Sequence, residues 1–292
     1  MHQTDLFSDS HDRMLANDLV AAIERAQPAA ALQAVAVLQA AYPHDRHLAP
    51  GRLLIATLEL ESANDGKLCF APTTGLRQAV AQINGAVTTA ATQLLGADSA
   101  RSFMAARWQA LARRARTLGF DPADPELHAA PLWLSAGNWA QAAAAVEGIE
   151  SWWHKPAPLA WMAQSRWQLD GTDAAWPLLA ELAWLSPQRL QALLPALPER
   201  PFRRLAAGFE AAFDPAADWV WWPAWLLVEQ PSLAKPLQAC RADQDTAPQR
   251  AFNQLQSLLR LERAGRHHEL VQSRRTLREL NPALFALYMA TR

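Results

Sequence analysis

The chain has 292 residues, 51% hydrophobic and 19% charged, with a formal net charge of −1. That apolar content excludes a disordered chain, and the length allows one large core, two domains or a repeat array. Near-neutrality excludes a global electrostatic pull toward nucleic acid or an anionic membrane, so neither is expected as a direct partner. Glycine is scarce, at 11 residues, and alanine abundant, which favours helix over sheet.

Residues 1–10, MHQTDLFSDS, read as a flexible tail ahead of a single helical domain over 11–292, which admits a division into parts 11–120 and 121–292. No basic stretch leads into an apolar core there, and no run of about 18 apolar residues follows. A secretory signal and a membrane span are therefore not expected, and the chain is placed in the cytoplasm. Cys69 and Cys240 are expected there as reduced thiols.

Taken in chain order, 18–43 reads as helix, a break at Gln27-Pro28, a second helix and a stop at Pro43. Leu32, Val35, Leu38 and Tyr42 mark the inner face of that second helix. Segments 48–62, 76–95 and 98–118 read as helices. The last carries Arg101, Arg107 and the run RRAR at 113–116, expected as a solvated face with snorkelling stems. Next come two related stretches, LWLSAGNWAQAAAAVEGIESWWHKP (132–156) and SRWQLDGTDAAWPLLAELAWLSP (165–187). Trp133 and Trp167 are 34 residues apart, as are Gly137 and Gly171. Each stretch has a helix ending at the glycine, a second helix, and a closing proline, Pro156 or Pro187. The second helices are amphipathic, through Trp139, Ala142, Val146, Ile149 and Trp153, and through Trp176, Leu179, Leu182 and Leu185. The stretch 214–248 is irregular. Pro223, Pro231 and Pro236 are expected to interrupt helices there, leaving short helical pieces joined by turns, and 241–248, RADQDTAP, reads as a polar loop. A last unit, 258–282, has Gly265 as its break, Pro282 as its stop, and Leu270, Leu277 and Leu280 on its inner face.

With a period of 34, a glycine at the helix–helix break, small alanines and a terminal proline, the chain resembles the tetratricopeptide-repeat family. The match is best over 125–190 and 250–285 and weaker over 12–43. Pro131, inside the first helix of its unit, departs from the family pattern. The resemblance implies an all-α fold, an α-solenoid of antiparallel helical hairpins, and binding to other proteins.

Motifs for chemistry are few. No glycine-rich phosphate loop, Gly-x-Ser-x-Gly elbow or His-Glu-x-x-His occurs. Asp9, His11 and Asp12, and Glu59 and Glu61, are acidic groupings without a partner nucleophile. His267 and His268 are adjacent and diverge on a helix, and His44 and His47 sit in a turn, so no metal is expected. No catalytic residue and no cofactor are assigned. Twelve of the thirteen tryptophans lie between 133 and 225. Most are expected to fill gaps between helices. Neighbours on a helix point about 100° apart, so one of each adjacent pair, Trp152-Trp153 and Trp221-Trp222, is a candidate for a ligand-facing groove.

The tail remains. QTDLF resembles the short peptide by which bacterial replication and repair proteins dock on the DNA sliding clamp. Gln3, Asp5, Leu6 and Phe7 fit that peptide, whereas Thr4 replaces its common leucine. Two apolar anchors and a glutamine amide suit a preformed pocket. The competing reading is that Leu6 and Phe7 tuck under the first helix. A hydrophobic staple serves that reading poorly, since a cap at Ser8 pairs Phe7 with Asp12 and a cap at Ser10 pairs Asp9 with Met14. The expected function is a non-enzymatic interaction adaptor docking on the sliding clamp. The alternatives are a scaffold or chaperone-like module that uses the Trp-rich surface without any link to DNA, and an enzyme with a dispersed site.

Overall fold

The computed structural model describes residues 8–64, 73–197, 200–213 and 218–292. The chain divides after Asn138 into two compact units. Among the described residues every regular element is helical and no strand occurs.

The N-terminal unit holds α1 (Ser8–Glu24), α2 (Pro28–Ala41), α3 (Leu48–Asn64), α4 (Thr73–Gln82), α5 (Thr88–Ala115) and α6 (Ala129–Ser135). Ala26, at φ 52°, turns α1 into α2, and Pro28 opens α2, where its missing N–H costs nothing. The two helices pack together, and α2 packs on α3. A Cβ on Gly51 would stand 2.9 Å from a methyl of the buried Leu19 side chain, which would have to shift to admit it. The inner face of α2 is Ala31, Val35 and Leu38. Leu32, expected on that face, is exposed instead. The smaller alanine one position earlier takes the close contact, and the face rotates with it.

Helix α4 runs through a π-helical turn, Ile83–Val87, into α5. There the Ile83 carbonyl accepts the Thr88 backbone N–H and, at 2.6 Å, the Thr88 hydroxyl. Gly96, at φ 77° and ψ 171°, breaks α5 between the two helices read from sequence. Arg107, expected on a solvated face, is only 4% exposed. Its guanidinium pairs with Glu61 at 3.2 Å, donates to the Phe103 carbonyl at 2.8 Å and stacks on the Phe103 ring. Arg101, Arg113 and Arg116 are exposed. Helix α6 starts after His128, whose Nδ1 accepts the Ala130 N–H at 3.2 Å as an N-cap. Pro131 falls in the first turn of this short helix, where a missing N–H is tolerated.

The C-terminal unit holds α7 (Trp139–Glu147), α8 (Pro156–Asp170), α9 (Thr172–Leu185), α10 (Pro187–Leu193), α11 (Arg200–Ala212), α12 (Trp222–Glu229), α13 (Ala247–Arg263), α14 (His267–Leu280) and α15 (Pro282–Ala290). Helices α8 and α9 pack together across Gly171, and α13 and α14 across Gly265. Both glycines have positive φ, 86° and 68°. Pro156, Pro187 and Pro282, read as stops, each open the following helix. Pro223, Pro231 and Pro236 likewise sit at helix starts rather than interrupting interiors. Around them lie the short helical pieces expected there, Trp219–Trp221, Trp222–Glu229, Pro231–Ala234 and Pro236–Ala239.

The core of this unit is aromatic. Trp176 lies 4.7 Å from Phe202 and 6.0 Å from Trp222, and Phe209 lies 5.0 Å from Trp219 and 5.5 Å from Trp225, centroid to centroid. Phe202, Leu205 and Phe209 recur at spacings of three and four and form the buried face of α11. Their tilted and edge-on pairings suit the ring quadrupoles.

Candidate functional site

The tail residues Gln3, Asp5, Leu6 and Phe7 lie outside the described residues, as does Cys69. The four tryptophans proposed for a groove are separated by the structure. Trp222 is 0% exposed and packs between Trp176 and Trp219, so it lines no groove. Trp221 and Trp152 are half-buried and lean on the same core. Trp153 is 36% exposed. It does not continue the α7 face as its spacing predicts. Helix α7 ends at Glu147, and Ser151 takes a left-handed φ of 50° before a 3-10 turn at Trp152–His154. This turn holds the two indoles edge-on to each other, with centroids 5.8 Å apart.

Trp153 stands at one side of a pocket of about 100 Å³, with Glu181, Trp184, Arg241, Asp243 and Gln249 among its walls. Each wall has a local reason. Glu181 is a lone carboxylate in the apolar run WPLLAELAWL of α9 and is buried with that run. An unpaired charge there would be costly, and two donors meet it. The backbone N–H of Arg241 donates to Glu181 Oε1 at 2.8 Å, and its guanidinium reaches Oε2 at 3.5 Å. Burial outweighs Arg241 and raises the Glu181 carboxyl from its ordinary value. Gln249, also buried, accepts the Gln244 N–H at 2.8 Å. Residues 240–246 carry no regular structure and are tied to α9 and α13 by these bonds.

The Arg241 guanidinium lies 5.4 Å from the Trp152 ring centroid and 5.1 Å from that of Trp153. That is cation–π range. Cys240, next to it, donates its thiol to the Pro177 carbonyl at 3.2 Å. Burial, with Glu181 nearby, pushes that thiol well above its ordinary pKa, which makes it a poor nucleophile. The pocket therefore offers recognition chemistry: carboxylates, aromatic faces and a guanidinium, 60 residues apart in sequence. The sequence signals are the adjacent Trp152-Trp153 pair and the solitary glutamate within an apolar helix.

Elsewhere, a pocket of about 140 Å³ in the N-terminal unit is bounded by Leu60, Ile83, Val87 and Leu111 beside Glu61. Burial raises the Glu61 carboxyl against the opposing pull of Arg107. His47 closes on Asp45 at 2.7 Å in the turn before α3. Among the described residues no three His, Cys, Asp or Glu side chains gather as a metal site, and no helix is long and apolar enough to cross a membrane. Searches against protein-family models, curated proteins and solved structures return no match to the chain.

Proposed function

We propose that the protein is a non-enzymatic protein–protein interaction adaptor built on tetratricopeptide-like helical hairpins arranged as an α-solenoid. The observation that supports this best is the aromatic and polar recognition pocket at Trp153, set in a unit of paired helices around positive-φ glycines. Interfaces favour tryptophan and arginine as anchors, and both meet here at the surface. The adaptor's second attachment is the tail. Gln3, Asp5, Leu6 and Phe7 match the peptide that bacterial proteins present to the DNA sliding clamp, and they immediately precede α1. One end engages the clamp while the helical body holds another protein.

Deletion of residues 1–8 tests the clamp part. Purified clamp retained by the immobilised full-length protein should be lost with the deletion. Equal retention by both would contradict tail docking. The scaffold reading without DNA shares the helical body and the Trp153 pocket, and it predicts that the clamp is not retained at all.

A further inference from the structure

The Trp153 pocket already shows what it holds. A guanidinium sits within cation–π distance of two indoles, with one buried carboxylate at 3.5 Å. Arg241 nevertheless fills it imperfectly. Its side chain is 48% exposed, and the 3.5 Å approach to Glu181 is longer than a well-formed charged hydrogen bond. Its backbone N–H makes the shorter contact, at 2.8 Å, and does not depend on where the guanidinium goes. Segment 240–246 lacks regular structure, so the Arg241 side chain can leave while its backbone stays pinned. The walls carry two carboxylates, Glu181 and Asp243, with Arg241 as the one permanent cation and His154 beside them. A second guanidinium is favoured over an anion at such a site. The open volume of about 100 Å³ is room enough for the planar head of one side chain.

We infer that this pocket is the receptor for an arginine side chain of a protein partner, and that Arg241 is its internal stand-in, displaced when the partner's guanidinium stacks on Trp153 and pairs with Glu181. The inference rests on the reading of the helical body as a protein-binding module and names the partner's chemistry. Arginine is preferred to lysine because a planar guanidinium both stacks on an indole and presents a two-pronged fork to a carboxylate. Competition with Arg241 makes the contact weak by itself and therefore selective, since only a partner making additional contacts outcompetes a tethered group.

The probe is an acetylated, amidated peptide, Gly-Gly-Arg-Gly-Gly, beside the same peptide with citrulline, which keeps the shape and loses the charge. Binding is followed by the indole N–H resonance of Trp153 in a nitrogen-15-labelled full-length protein, assigned with Trp153→Phe. The arginine peptide should shift this resonance at millimolar concentration and the citrulline peptide should not. Arg241→Ala, which empties the cradle and keeps the backbone N–H, should tighten arginine-peptide binding about five- to tenfold, about 1.0–1.4 kcal/mol. Glu181→Gln, which keeps an acceptor for the Arg241 N–H, should abolish the preference over citrulline. Arg241→Gln, with a longer stem, repeats the first test if Arg241→Ala unfolds. Equal responses to the two peptides, or no gain in either Arg241 variant, overturn the inference and leave Arg241 as a structural clasp. Clamp retention through residues 3–7 is measured separately, so loss of one result is not loss of the other.

Discussion

The N-terminal unit buries an arginine against a carboxylate, whereas the C-terminal unit packs tryptophan against phenylalanine. In the first, Arg107 pairs with Glu61 across α5 and α3. In the second, Trp176, Trp219 and Trp222 are each at most 2% exposed. There, Glu181 is buried in α9 at the wall of a surface pocket that Trp153 also lines. Rigid rings supply both the filling and, at Trp152 and Trp153, a surface that a partner can stack on.

The comparison breaks most visibly at the aromatic core. Trp222→Ala should cost about 3–5 kcal/mol, read as a lower urea midpoint. A loss under about 1 kcal/mol would mean that the rings do not hold this unit. In the N-terminal unit, Glu61→Leu should cost about 2–3 kcal/mol by stranding the Arg107 charge, less than for a fully buried pair because Glu61 is one-third exposed. Replacing both, Glu61→Leu with Arg107→Met, should recover much of that loss. A double variant as unstable as the single one would show that the pair itself, and not the unpaired charge, matters.

The smallest effect is at the α6 cap. His128→Ala should cost about 1 kcal/mol at pH 7.5. Burial lowers the His128 pKa from its ordinary value, and only the neutral ring can accept the Ala130 N–H. A depressed pKa contributes stability that is present above the unfolded value and lost as pH falls through the folded one. The gap between wild type and His128→Ala should therefore narrow on acidification to pH 5. His128→Asn should keep a cap without that dependence. A gap that widens in acid would reverse the assignment.

Much of the fold was legible because its punctuation is local. Gly137, Gly171 and Gly265 were read as breaks, and all three have positive φ. Gly96 falls between the helices read at 76–95 and 98–118. The inner faces of α9 and α14 followed from spacing, as at Trp176, Leu179, Leu182, Leu270 and Leu277. Errors arose where one residue decides a rotation or an ending. Leu32 is expected on the α2 face where Ala31 sits, and Trp153 is expected on a helix that ends at Glu147. The prolines were read as stops, although a proline serves equally as the first residue of the next helix. The pocket was mostly illegible, because Glu181 and Arg241 meet only through folding and no spacing encodes the pair. Trp153 was singled out from its adjacency to Trp152, without the carboxylate that gives the site its chemistry.

The adaptor reading is tested most directly by calorimetric titration of the purified sliding clamp into the full-length protein, beside Leu6→Ala/Phe7→Ala and Trp153→Ala proteins. Micromolar or tighter binding by the intact protein and by Trp153→Ala, with none by the tail double variant, is the result expected. No binding by the intact protein at micromolar clamp would contradict it.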